Sequence, residues 1–265
     1  MEQQHTVGFL LKQWRNRRRL TQLDLALKAE ISQRHLSFLE SGRARPSRNM
    51  VMLLAEQLDV PLRERNVILN AAGFAPQFSH QPLEAPGLSA AREAIDRILH
   101  GHLPHPALAV DRHWNLLSAN PAVGFLLTDV APHLLEGKVN VLRMSLHPEG
   151  LAPRILNLGE WSAHILSRLS HQIEVTADCQ LVALRDELMV LAFPEPARRK
   201  RTAAQVQDIA VPLRLKSAVG PLAFISTTTV FGTAVDVTLS EVTIEAFFPA
   251  NSDTAAVMAG FAYGQ

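Results

Sequence analysis

The stretch LTQLDLALKAEISQRHLSFLESGRARPS, residues 20–47, holds two short helices with almost no chain between them. Thr21 is a good N-cap and opens a helix over residues 22–30. Ile31 follows at once, and Ser32 can cap a second helix whose inward positions are Leu36 and Leu39. Gly42 lies just past its end, where a left-handed residue is favoured. Working outward, Val7, Leu10, Leu11 and Trp14 recur at i, i+3, i+4 and i+7, one face of an earlier helix. Arg15, Arg17, Arg18 and Arg19 fall in its last turn, where cations suit the helix dipole; a solvated terminus is the plain reading of them. On the other side, Ser47 can cap a fourth helix with Met50, Leu53, Leu54 and Leu58 inward and Pro61 beyond its end. A fifth runs over residues 62–72 and stops at Gly73.

A helix pair this tight meets the demand of a helix-turn-helix. The first helix lies across the phosphate backbone, and the second puts its N-terminal residues against base edges in the major groove. Gln22 opens the first helix and Gln33 the second, eleven residues later. Glutamine bonds bidentately to adenine and arginine to guanine. Gln33, Arg34 and Phe38 face outward, opposite Leu36 and Leu39, with His35 beside them as a base reader or a solvated helix residue. Phe38 is either a contact for a thymine methyl or half-buried packing. Taken singly each residue fits a structural helical bundle; the combination favours a double-stranded DNA operator as partner.

Charge agrees with that division. The 265 residues carry a net charge of +1, but residues 1–72 hold 12 Lys/Arg against 7 Asp/Glu and the remainder 14 against 18. A basic end joined to a mildly acidic remainder hints at a nucleic-acid-binding segment attached to something else. Residues 74–89 are expected as a linker, since FAPQFSHQPLEAPGL at 74–88 contains three prolines and a glycine. The basic segment Pro194–Arg201 is a second loop candidate. Beyond the linker, Ala91, Ala94, Ile95, Ile98 and Leu99 make a helical face; 106–111 and 114–119 read as strands around a turn at Asp111-Arg112-His113; long helices are expected over 153–171 and 178–190. Residues 208–217, 220–231 and 239–248 are strand-like runs of Val, Ile, Thr and Phe. Two strands, then helices, then three strands predict an α+β domain with an antiparallel sheet and helices on one face.

Hydrophobic residues make up 47% of the chain, enough for a core. Cys179 is the single cysteine, which excludes an internal disulfide and a multi-cysteine zinc site. No apolar run approaches the ~18 residues of a membrane span, and the first residues lack the order of a signal peptide, so a cytoplasmic protein with no membrane partner is expected.

The features Leu20-Thr21-Gln22, Ala26, Ile31-Ser32, Leu36, Leu39-Glu40, Gly42-Arg43 and Pro46-Ser47 resemble the lambda-repressor-like, Cro/C1-type (Xre) helix-turn-helix over about residues 7–73. That resemblance implies that Gln22 braces the backbone and the Gln33 side chain, that Gln33, Arg34 and Phe38 face bases, and that Arg43 and Arg45 meet phosphates. Glu30 stands where the turn of this family usually carries glycine, and a non-glycine there must take a strained or altered turn. Four later strings, Val110–Leu116, Leu146–Leu151, Val211–Leu215 and Ser226–Asn251, together with Leu58–Pro76, resemble the MmyB-like transcription regulators over about 7–255. The resemblance implies a PAS-like ligand-binding domain with a five-stranded antiparallel sheet over residues 90–255, holding a small apolar effector such as a fatty acid.

Catalytic signatures are not found. There is no HExxH, no nucleophile elbow around Ser145 or Ser226 and no phosphate-binding glycine loop, and His100, His102 and His105 stand in a glycine- and proline-broken stretch that reads as a loop, so neither a metal nor another cofactor is expected. A sensor cavity needs apolar walls and a few polar anchors. The candidate walls are Trp114, Leu116, Phe125, Leu142, Trp161, Phe224 and Phe231, and the candidate anchors for a carboxylate are Asn120, His147 and Arg154; core packing and surface ion pairing are the competing roles. The reading is a two-domain regulator acting as a homodimer, because one such reader contacts few base pairs. Its rivals are a PAS-like module that only dimerises and an enzyme fused to a DNA reader.

Overall fold

The computed structural model describes residues 6–193 and 211–262. The loop candidate Pro194–Arg201 and the start of the expected strand 208–217 lie outside the described residues. The chain forms two compact units, one of residues 1–82 and 233–240 and the other of 83–232 and 241–265.

The first unit is built on five helices: α1 (Val7–Arg17), α2 (Gln22–Lys28), α3 (Gln33–Glu40), α4 (Arg48–Gln57) and α5 (Leu62–Ala71). Side-chain caps start four of them. Thr6, Thr21, Ser32 and Ser47 accept from the amides of Phe9, Asp24, His35 and Met50, and Asp24 completes a capping box with Thr21. Leu11, Trp14, Leu25, Leu36, Leu39, Val51, Leu54, Leu58 and Leu69 form one core. Inside α4 the buried positions are Val51, Leu54 and Ala55, whereas the expected Met50 and Leu53 are half-buried. Glu30 takes φ 54°, so the helix-turn-helix turn is closed by a left-handed glutamate in place of glycine. Two of the arginines after Trp14 are engaged in the fold, while Arg19 is exposed as expected of a solvated end. Arg15 is buried against Glu40, and Arg18 donates to the carbonyls of Leu58 and Asp59.

Residues 74–82 of the expected linker belong to the first unit. Asn66 on α5 accepts from the amides of Gln77 and Phe78 and donates to the Phe78 carbonyl, and Ser79 bridges Asp236. Residues 233–240, which end in the short helix α11 (Val237–Ser240), bury Val237 completely; its amide bonds the Ser79 carbonyl, and Thr238 donates to Gln81.

The second unit opens with α6 (Ser89–Gly101), then β1 (Ala107–Val110), β2 (Leu116–Ala119), α7 (Val123–Leu126), α8 (Val141–Leu146), α9 (Leu158–Thr176), α10 (Cys179–Ala192), β3 (Leu213–Ser217), β4 (Gly220–Val230), β5 (Thr243–Pro249) and α12 (Ser252–Ala262). All strand pairs are antiparallel, in the order β2-β1-β5-β4-β3. This is the PAS-like α+β domain. Helix α9 begins at 158 and not at 153 because Ile155 bridges Leu215 and the Leu156 amide bonds the Arg214 carbonyl, which keeps that stretch extended along β3.

The sheet is covered on both faces, not one. Leu108, Val110, Phe224 and Phe247 join α8, α9 and α10 in the main core, while Ala107, Ala109 and Ile244 pack with Ile95 and Leu99 of α6. Strand β1 lies between these layers, which accounts for the unbroken apolar run ALAV in place of alternation.

Gly8 shows how closely α1 meets α3. A Cβ there would sit 2.4 Å from the Leu39 carbonyl oxygen and 2.7 Å from that of Glu40. Both are backbone atoms at a helix end and cannot swing away. Gly8→Ala should therefore lower the stability of the first unit by about 1–3 kcal/mol, despite alanine's better helix propensity. Thermal unfolding checks the sign, and a rise in midpoint would refute the contact.

Candidate functional site

Two surfaces carry candidate chemistry, one in each unit. In the first, Ser32 fixes the start of α3 and so presents Gln33 and Arg34, both exposed, on its first turn. Phe38, half-buried one turn on, is flanked by two guanidinium groups, Arg34 at 5.3 Å and Arg43 at 5.9 Å from its ring centroid. Both cations thus lie within cation–π range of the one ring. Arg43 and Arg45 are exposed just beyond the helix, after Gly42 at φ 74°. His35 is half-buried.

Behind this surface lies a polar clamp. Arg15 donates from Nε to Glu40 Oε1 at 2.6 Å and from Nη2 to Oε2 at 2.9 Å, and its Nη1 reaches the Leu20 carbonyl. Gln22 Nε2 donates to the same Glu40 carboxylate at 2.8 Å. Gln22 is therefore tied to Glu40, where the resemblance implied Gln33. The clamp joins the end of α1, the start of α2 and the end of α3, and so sets the angle at which the recognition helix is offered.

In the second unit a cavity opens between the sheet and helices α7–α9. Trp114, Leu142, Met144, Trp161, Ile165 and Phe247 are among its walls, and its polar lining is Ser145, Arg168 and Glu245. Its free volume is about 60 Å³, against roughly 300–1,000 Å³ for sites that hold drug-sized ligands. A larger guest must displace side chains.

Arg168 and Glu245 form the polar end. Nη2 donates to Oε1 at 2.6 Å and Nη1 to Oε2 at 3.2 Å; the Thr228 hydroxyl accepts from Arg168 and donates to Glu245, each at 2.8 Å. The Glu245 side chain is 5% exposed. The guanidinium also lies 5.0 Å from the Trp114 ring centroid. Trp114 takes φ 67°, an unusual region for a bulky residue, and is held there by backbone bonds to Asp111 and Val141 and by Nε1 donating to Gln172 at 2.8 Å. Trp161 Nε1 donates to Ser145 Oγ at 3.0 Å, and the ring stacks on His164. Burial, and then the charge of Arg168, hold the His164 imidazole below the usual histidine range.

The family model described as the MmyB-like transcription regulator ligand binding domain matches residues 91–259, well over half of the chain. The chain belongs to the MmyB-like transcription regulators. A second model, described as helix-turn-helix, matches residues 11–65. No curated protein matches the chain. No helix among the described residues is long and apolar enough to cross a membrane.

Within this MmyB-like regulator, the expected ligand contacts separate. Trp114, Leu142 and Trp161 line the cavity. Phe224 is fully buried in the main core, with Phe125 and Leu116 half-buried against it, and Phe231 packs on the α6 side of the sheet. The three expected anchors are not in the lining. Asn120 uses its amide on the backbone, accepting from Ala107 and donating to the carbonyls of Leu99 and His105. Arg154 donates to the carbonyls of Leu126, Thr128 and Lys216. His147 accepts from the Glu149 amide in a surface group with His133 and Glu149, whose potential ligand atoms lie within 4.8 Å of one another. The charged residues in the lining are instead Arg168 and Glu245, which sequence reasoning missed. A signal was present: Glu245 shares its strand face with Thr243 and Phe247, and a carboxylate at an inward position of an apolar strand calls for a buried partner.

Proposed function

We propose that this chain binds a double-stranded DNA operator as a homodimer through α3 and its flanking arginines, and that its PAS-like domain senses a small molecule with an apolar body of the fatty-acyl class. The observation that carries the reading is the apolar cavity with a buried charged end, in the same chain as an exposed Gln33-Arg34 helix start. Gln33, Arg34 and Phe38 are the base-facing residues, with His35 at their edge; Arg43 and Arg45 meet phosphates. The cavity's small volume supports coupling, because a guest that opens it must move the surrounding elements. Thr228 and Glu245 lie on β4 and β5, and residues 233–240, which connect these strands, are part of the first unit. Linkage then requires DNA to change effector affinity by the factor by which effector changes DNA affinity.

The small volume also favours a second reading, in which the domain only pairs protomers and holds no effector. Native mass spectrometry of freshly purified protein, before and after denaturation, separates the two: a dissociable apolar mass supports sensing, and a bare dimer that binds no chain-like lipid in calorimetry supports pairing alone. For the reader, Gln33→Ala should cost roughly 1–3 kcal/mol on the specific operator and relax preference at one base pair. Arg43→Ala should instead weaken all sequences alike and flatten the salt dependence. Titration across operator variants decides; a uniform loss for Gln33→Ala would end its assigned role.

A further inference from the structure

We propose that His133, His147 and Glu149 form a binding site for a divalent transition-metal ion of the zinc, nickel or copper class, on the surface of the second unit where the turn after α8 meets the stretch before that helix. None of the three lines the apolar cavity, so the site does not depend on what that cavity holds.

Two short pieces of chain bring the three side chains together. Helix α8 ends at His147, whose amide bonds the Arg143 carbonyl. A tight turn follows, in which the Gly150 amide bonds the His147 carbonyl and the Leu151 amide bonds the Met144 carbonyl. Gly150 is wedged against the helix end, and a Cβ there would collide with the Met144 carbonyl oxygen. Pro148, between His147 and Glu149, has its φ fixed by its ring. His147 and Glu149 thus leave a backbone with little freedom. The Glu149 carbonyl accepts from the Ala131 amide at 2.9 Å, which lays the single turn Pro132–Leu135 alongside and delivers His133. Nothing in the spacing announces this group, since His133 and His147 stand 14 positions apart and share no helix or strand.

The geometry is close to that of a loaded site. One potential ligand atom from each residue lies within 4.8 Å of the other two, and His133 Nε2 is 3.8 Å from Glu149 Oε2. In a tetrahedral site with metal bonds of about 2.0–2.1 Å, ligand atoms stand roughly 3.3 Å apart, so the widest pair has about 1.5 Å at most to close. The side chains of His133 and Glu149 are 57% and 64% exposed, and such groups make that move without disturbing the core. The His133 and His147 rings already lie edge to face, with 6.0 Å between centroids. His147 Nδ1 accepts from the Glu149 amide at 3.1 Å, which holds its ring in place. An ion taking either nitrogen of that ring displaces one exposed partner, a proton or the amide. An ion pair between His133 and Glu149 accounts for one contact of the group. It does not account for the second imidazole, because two protonated rings repel, whereas two neutral rings and a carboxylate offer three donors to one cation.

The donor set chooses the ion. Two imidazole nitrogens and one carboxylate suit zinc, nickel and copper. Calcium takes about six to eight oxygens and magnesium a near-ideal octahedron, which a single carboxylate does not supply. Bound here, the ion ties the 132–135 turn to the end of α8 and so adds a clip to the second unit.

The test is a calorimetric titration of zinc chloride into the tag-free, full-length protein at neutral pH, repeated with calcium chloride. One zinc ion per chain should bind at this site with a Kd in roughly the micromolar range, and calcium should show no binding at the same concentrations. His133→Ala and Glu149→Ala, both at exposed positions, should each weaken zinc by more than the roughly ten- to hundredfold that loss of a group outside a ligand set costs. Zinc should also raise the thermal midpoint of the unaltered protein, and at the same zinc concentration that rise should be lost in both variants. Zinc binding that weakens less than about tenfold in either variant would overturn the site, because the ion would then sit elsewhere among the 11 histidines. So would zinc binding no tighter than about a millimolar Kd, or calcium binding as tight as zinc.

Discussion

Glu40→Ala should cost the first unit about 3–5 kcal/mol and abolish operator binding at ordinary temperatures, although Glu40 faces no base. Arg15 and Glu40 have side-chain exposures of 9% and 3%. Removing the carboxylate strands a buried guanidinium on the Leu20 carbonyl alone and frees the Gln22 amide. Breaking a buried pair on one side is far more damaging than replacing both partners by apolar groups. Global stabilities run near 0.05–0.15 kcal/mol per residue, so a loss of this size removes a large share of what so small a unit has. Arg15→Met combined with Glu40→Leu should recover most of the stability. It should recover less of the DNA affinity, since Gln22 would still lack the group that places it. Urea unfolding followed at Trp14, which is buried in this core, gives the first quantity and operator titration the second. If Glu40→Ala shifts stability by less than about 1 kcal/mol, the clamp is only a surface decoration.

Arg168→Met should destabilise the second unit by a comparable 3–5 kcal/mol, about ten times the effect of cutting an exposed pair such as Glu93–Arg97 on α6. The contrast is set by exposure. The Arg97 and Glu93 side chains are 80% and 66% exposed, so water replaces either partner, whereas the Glu245 side chain is 5% exposed and keeps only Thr228. Met retains most of the aliphatic stem and so limits the lost volume, while it removes the guanidinium from both Glu245 and the Trp114 ring. The double variant Arg168→Met/Glu245→Leu should regain most of the loss, and the four-member cycle then measures the coupling of the pair. Additive single effects would mean that the two charges are independently solvated and that the buried pair is not coupled.

Local chemistry made the first unit legible. Caps at Thr21, Ser32 and Ser47, helical periodicity at Val7–Trp14 and a glycine at position 42 act within a few residues of where they stand, and each acts there in the fold. The strands were likewise readable, the first two as short runs around a tight turn and the last three as runs of Val, Ile, Thr and Phe, the start of the run 208–217 lying outside the described residues. The helical face from Ala91 to Leu99 was readable as well, but not its place on the second sheet face, because Ala107 and Ala109 show their role only once Ile95 and Leu99 of α6 lie against them.

The candidate anchors divided on the same ground. Asn120, His147 and Arg154 are polar residues near apolar ones in sequence, which is all a sequence displays, and in the fold their polar atoms are taken up by nearby backbone. Arg168 and Glu245 stand 77 positions apart, on a helix and a strand that meet only in the folded domain. The sequence by itself determined the helix-turn-helix, the α+β order and the base-facing candidates, since those follow from interactions of short range along the chain. Tertiary structure alone decided which charges enter the cavity and which arginines are buried, because burial and pairing depend on segments that the chain separates and the core brings together.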